Sequence, residues 1–106
     1  MDNLILSEYF VYFIFLKKNK DTPSFIGRAE GSLDIELAKH LNGQCSTSLY
    51  FKKEDIDRIL FDVFPTQADA NMYEIYYIQK YQPELNSGYA RDKMHVTLPE
   101  RELIEY

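Results

Sequence analysis

Residues 71–86 read Asn71-Met-Tyr-Glu74-Ile-Tyr-Tyr77-Ile78-Gln-Lys-Tyr-Gln-Pro83-Glu-Leu-Asn86, and no other segment constrains the architecture of the chain as tightly. The segment predicts a helix. Thr66-Gln-Ala-Asp69 just before it resembles a capping box with Asp in place of Glu, which satisfies free N–H groups in a first helical turn. The helix runs to about Gln82, because Pro83 disfavours helical backbone in the residue before it. Ala68, Met72, Ile75, Tyr76 and Gln79 share one face, and Tyr73, Tyr77 and Tyr81 share another. A helix apolar on two faces is packed on both sides. A Tyr stripe of this kind reads as packing before it reads as a binding platform.

Towards the N-terminus, Leu60-Phe-Asp-Val-Phe64 reads as a strand closed by Pro65, while 54–59 is ambiguous. Ser32 caps a helix carrying Leu33, Leu37 and Leu41 at helical spacing with Ala38 beside them, and Asn42-Gly43 predicts its end. Ser24-Phe-Ile-Gly-Arg28 reads as a strand. Glu8 to Leu16 is a continuous aromatic and β-branched run, as in a central strand. These two pair as an antiparallel hairpin across the polar loop 17–23. Gln44 to Ser48 is a polar connector, and Leu49-Tyr-Phe51 a short extended piece. Beyond Pro83 the chain is irregular to Asp92, and Met94 to Leu98 is extended. Thr97-Leu-Pro-Glu100 predicts a last short helix, with Thr as cap and Pro in the first turn. The sum is a single α/β (α+β) domain over 1–106. It has a small three-stranded, mainly antiparallel sheet flanked by helices. The core spans about 8–90, and an extension, 91–106, packs on the domain or docks elsewhere.

Length and composition agree with one globular core: 106 residues, 45% hydrophobic and 15% aromatic, with nine Tyr and seven Phe. The net charge is −5, which argues against a generally basic, nucleic-acid-coating surface. Two local basic groups stand out, Lys17, Lys18 and Lys20, and Arg91 with Lys93. Cys45 is the only cysteine, so neither an internal disulfide nor a multi-thiolate zinc site can form, and a cytoplasmic location suits the chain. The apolar run Tyr9 to Leu16 is too short to span a bilayer, and no membrane association is expected. There is no phosphate-binding Gly loop, no GxSxG and no HExxH. The two histidines, His40 and His95, are far apart in sequence.

The element order, together with the Glu74-x-x-Tyr77-Ile78 helix and the following Pro83-x-x-Asn86, resembles the GIY-YIG endonuclease superfamily, in particular its small phage- and plasmid-type members. Phe10-Val11-Tyr12 stands where the family has Gly-Ile-Tyr, and Phe25-Ile26-Gly27 where it has Tyr-Ile-Gly. The resemblance covers about residues 8–90. It implies a metal-dependent phosphodiesterase in which Glu74 holds Mg²⁺ or another divalent cation, Tyr12 helps to activate water, and Asn86 matches the late Asn. His40 ends the first helix, as the family's histidine often does.

Two positions depart from the pattern. Phe25 replaces the second Tyr. The helical Arg that the family uses to clamp phosphate stands four residues before the His, and here that position is Glu36. Replacing a guanidinium with a carboxylate turns attraction for a phosphodiester into repulsion. Arg28, directly after Gly27, is the candidate replacement. Alternatively Glu36 and Glu74 jointly hold a metal, with His40 beside them. The expected function is therefore a degenerate nuclease fold, catalytically weak or inactive and reused to bind a protein partner, in a phage or mobile-element counter-defence or regulatory role. The alternative is a metal-dependent endonuclease acting on DNA through Tyr12, Arg28, His40, Glu74 and Asn86.

Overall fold

β1 (Tyr9–Leu16) is the strand around which the other elements are arranged. Its run of Phe, Val, Tyr and Ile has no polar side to turn to water, and Phe10 through Leu16 are all buried. A strand buried on both faces needs a layer over each. One layer is α1 (Leu33–Leu41) and the other is α2 (Gln67–Tyr81). The remaining strands are β2 (Phe25–Glu30), β3 (Ile56–Phe64) and β4 (Ile104–Glu105). The sheet order is β2-β1-β3-β4, with every neighbouring pair antiparallel. The computed structural model describes residues 8–42, 50–86 and 97–106. The expectations for Gly43, the 44–48 connector with Cys45, Leu49, Arg91, Lys93, His95 and the stretch from Met94 to Val96 lie outside the described residues.

Strand alternation sorts the core into two halves. Phe10, Tyr12, Ile14 and Leu16 pack with Leu33 and Leu37 of α1, and Phe51 joins them. Val11, Phe13 and Phe15 pack with Ala70, Tyr77 and Ile78 of α2. Both predicted caps form. The Ser32 hydroxyl accepts from the Ile35 N–H at 3.2 Å, and the Thr66 hydroxyl accepts from the Asp69 N–H at 3.1 Å. α2 stops at Tyr81, with Gln82 in the left-handed region at φ 49° just before Pro83.

Several boundaries differ from the sequence expectation. β3 starts at Ile56, after a single 3-10 turn at Lys53–Asp55. Its charged residues Asp57 and Arg58 hid the strand, yet Ile59 is core and the Arg58 guanidinium stacks 4.1 Å from the Phe15 ring centre. Tyr50 and Phe51 are not in a strand, although Phe51 is buried. On α2 the first expected face is split, with Ala68 and Met72 exposed and Ile75 and Tyr76 partly buried against the core, while the Tyr73–Tyr77–Tyr81 stripe packs towards the sheet.

The short helix expected at Thr97 does not form, and a fourth strand appears instead. Side chains draw the segment onto the domain. The Tyr73 hydroxyl donates to the Pro99 carbonyl at 3.0 Å, and Lys80 meets Glu100 at 3.1 Å. Arg101 forks the Asp62 carboxylate, Nε to Oδ2 at 2.6 Å and Nη2 to Oδ1 at 3.1 Å. The Tyr106 N–H donates to the Ile59 carbonyl at 2.8 Å. Residues 97–106 therefore pack on the domain, along the outer side of β3.

Candidate active site

β2 lies at one edge of the sheet, and its alternation sends sequence neighbours to opposite sides. Gly27 belongs to the α1 side and Arg28 to the α2 side. The residues singled out from the sequence accordingly fall into two groups.

On the α1 side, Tyr12 of β1 pairs with Gly27. Its ring crosses that glycine so closely that a Cβ there would lie 2.6 Å from the hydroxyl oxygen and 2.7 Å from Cζ. The hydroxyl sits 2.6 Å from His40 Nε2 and 3.4 Å from Glu36 Oε2. Tyr12 is 1% exposed and His40 4%. Burial holds the His40 pKa below its ordinary value, although the Glu36 carboxylate pulls it up. The imidazole is therefore neutral at neutral pH and carries one N–H. The donor and acceptor roles of the two atoms depend on which imidazole nitrogen carries the proton. The Phe25 ring lies 5.3 Å from that of His40 and 6.2 Å from that of Tyr12, so carbon fills the position of the second phenol.

On the α2 side, Arg28 Nε donates to Glu74 Oε1 at 2.8 Å. Burial pushes the Glu74 pKa up, and the guanidinium beside it pulls it back down. A guanidinium has five N–H donors, so one bond to Glu74 does not exhaust it. A cavity of about 160 Å³ lies beside it, lined by Tyr9, Arg28, Ala29, Glu30, Gln67 and Ala70.

Asn86 faces backbone. Its Oδ1 accepts from the Ile26 N–H at 2.9 Å, and its Nδ2 donates to the Ile26 carbonyl at 2.8 Å. The chain reaches that position because it turns back after Pro83, and the Leu85 N–H bonds the Ser24 carbonyl at 3.0 Å. The carboxamide thus completes the free edge of β2.

The geometry brings Tyr12 to His40 and Arg28 to Glu74. It does not bring Glu36 to Glu74, since the two carboxylates serve opposite faces of the sheet. Among the described residues no three His, Cys, Asp or Glu side chains converge to hold a metal, so the joint Glu36–His40–Glu74 site is not formed. Glu74 alone suits a Mg²⁺-type ion, which keeps several waters and takes one or two carboxylates together with substrate phosphate oxygens. It does not suit a closed site of zinc type.

A third cluster was not foreseen. Asp62, buried in β3, receives Arg101 and the Tyr77 hydroxyl, the latter at 3.2 Å. Burial and the Asp62 carboxylate raise the Tyr77 pKa well above the phenol range. The signal was present, since Asp62 is the only charged residue between Leu60 and Phe64. A lone acid inside an apolar strand needs a cation or a donor.

The family model for the GIY-YIG catalytic domain matches residues 8–89. No match was found among curated proteins or among solved structures.

Proposed function

The chain belongs to the GIY-YIG catalytic domain family, and from that membership we propose that it is a nuclease-fold protein whose phosphodiester chemistry is weak or lost and whose scaffold binds a protein partner. One observation carries the reading. The Tyr12 hydroxyl, the group that would activate water, is sealed at 1% exposure between His40 and Glu36. The α1 side therefore offers a carboxylate where phosphate binding needs a cation. The surface that remains for a partner is apolar. Ile35 of α1 is 64% exposed, and Ile104 and Tyr106 are 47% and 55% exposed beside it, tied to α1 by the Tyr106–Asp34 bond. Neighbouring exposed apolar side chains of this kind mark interaction sites. The acidic balance and small size suit a cytoplasmic counter-defence or regulatory protein of a phage or mobile element, one that obstructs a nucleic-acid-handling enzyme.

The second reading, a metal-dependent DNA endonuclease, is favoured by the Arg28–Glu74 pair. There Glu74 would hold the divalent cation, which supplies charge stabilisation at the leaving oxygen. Arg28 would supply the phosphate-binding cation missing at position 36.

Supercoiled plasmid incubated with Mg²⁺ or Mn²⁺ separates the two. The first reading expects no nicking above that of Glu74→Ala; nicking by the native chain that this variant loses overturns it in favour of the second. Glu36→Arg is expected to gain nicking if the missing cation is the defect. A tagged chain should also retain one stoichiometric protein from host extract through the Ile35–Tyr106 surface, and retention unchanged by Ile35→Glu counts against that surface.

A further inference from the structure

The basic group Lys17-Lys18 has no part in the site at β2. It stands at the far end of β1, on the rim of a separate cavity of about 240 Å³. The lining is Leu16, Lys17, Lys18, Tyr50, Phe51 and Asp55. Leu16 and Phe51 are buried and make an apolar floor, while Tyr50 is 64% exposed and makes an aromatic wall. The Lys17 N–H bonds the Asp55 carbonyl at 2.9 Å, which fixes one rim to the other.

The charges around this cavity are unevenly committed. Lys18 meets Glu84 at 2.9 Å and Lys20 meets Asp57 at 3.8 Å. The Asp55 carboxylate accepts the Lys52 N–H at 2.8 Å. Lys17, Lys52 and Lys53 have no carboxylate partner among the described residues. Of these Lys17 lines the cavity, while Lys52 and Lys53 follow Phe51 in sequence beside an exposed Glu54 that has no cation partner among the described residues either.

We propose that this cleft binds single-stranded nucleic acid, one base lying against Tyr50 over the Leu16–Phe51 floor and its phosphate on Lys17. An aromatic platform flanked by lysines is what sequence-tolerant single-strand binding requires, because every base has a π face and every linkage a charge. Protein interfaces, by contrast, are depleted of Lys at their centres. The cleft lies away from Arg28: Leu16 is five strand positions beyond Val11, the partner of Arg28, or about 17 Å along β1. Binding here is therefore separate from the Arg28–Glu74 pair. It would serve equally a nuclease or a protein that sits on a nucleic-acid enzyme beside its substrate.

The test is fluorescence anisotropy of a short fluorescein-labelled oligothymidylate at low salt, without metal. Tyr50→Ala is expected to weaken binding by about 5- to 150-fold, the range for one lost base stack. Lys17→Gln is expected to weaken it and to reduce the log–log salt slope by about 0.7, one phosphate contact. Both side chains are exposed, so folding is left intact, and circular dichroism checks this. The proposal is overturned if the native chain does not bind the oligonucleotide. It is equally overturned if Tyr50→Ala and Lys17→Gln bind normally, or if binding depends on Arg28 instead, which assigns it to the β2 site.

Discussion

Gly27 carries the tightest steric statement in the molecule. A methyl group there meets Tyr12 at 2.6–2.7 Å, and the Phe25 ring at 2.9 Å. Gly27→Ala is expected to lower stability by about 1–3 kcal/mol, the usual range for overpacking, read as a lower urea midpoint. Adding Tyr12→Phe should restore little, because Cζ itself stands in the way. His40 makes a second prediction. Its folded pKa lies below the ordinary 6.5, so the unfolded chain takes up the proton first as pH falls. The stability linked to this group is complete above pH 6.5 and is lost as pH drops from there towards the folded value. Urea unfolding of the native chain and His40→Gln across that window provides the check. Equal slopes in the two proteins would refute it.

At the level of elements, β3 is held by what lies beside it. Asp62 is 3% exposed in its side chain, and Arg101 answers it from residues 39 positions away. Arg101→Ala leaves the buried Asp62 carboxylate with the Tyr77 hydroxyl and the Val63 N–H but no cation, and a loss of about 3–5 kcal/mol is expected, measured by denaturant unfolding. Arg101→Lys should fall between, because it keeps the charge and loses the fork. The Arg101 guanidinium also lies 4.7 Å from the Phe64 ring centre and 5.5 Å from that of Tyr73, so part of either loss is packing. On the other edge, Asn86→Ala removes both bonds to Ile26. The expected outcome is faster hydrogen exchange at the Ile26 amide, with the β1–β3 amides unchanged. Accelerated exchange throughout the sheet would instead mean that Asn86 supports the whole fold.

For the whole molecule, the legible features were local ones. β1 was readable because both its faces are apolar, and α1 and α2 because Ser32 and Thr66 announce their first turns. β4 was not readable. Its two residues have no strand signature, and it is placed by long-range ties from Arg101 and Tyr106. The site was half legible. Glu74, Tyr12 and His40 sit in recognisable segments, and their positions agree with the element order. That the sheet would divide them was implicit in the period of two along Phe25-Ile26-Gly27-Arg28, but the Arg28–Glu74 pairing, 46 residues apart, carries no local trace. The four-stranded sheet that results ends at β2 on one side and at the two-residue β4 on the other. At β2 the Asn86 carboxamide offers the same donor and acceptor as a peptide group, so one side chain stands in for a neighbouring strand. Along β3 the tail with Glu102 and Glu105 supplies β4, an edge too short and too acidic to template another strand. Exposed strand edges are where chains recruit one another into aggregates. A single carboxamide and a ten-residue tail, 97–106, thus act as stoppers that keep an aromatic-rich sheet from growing beyond its own chain.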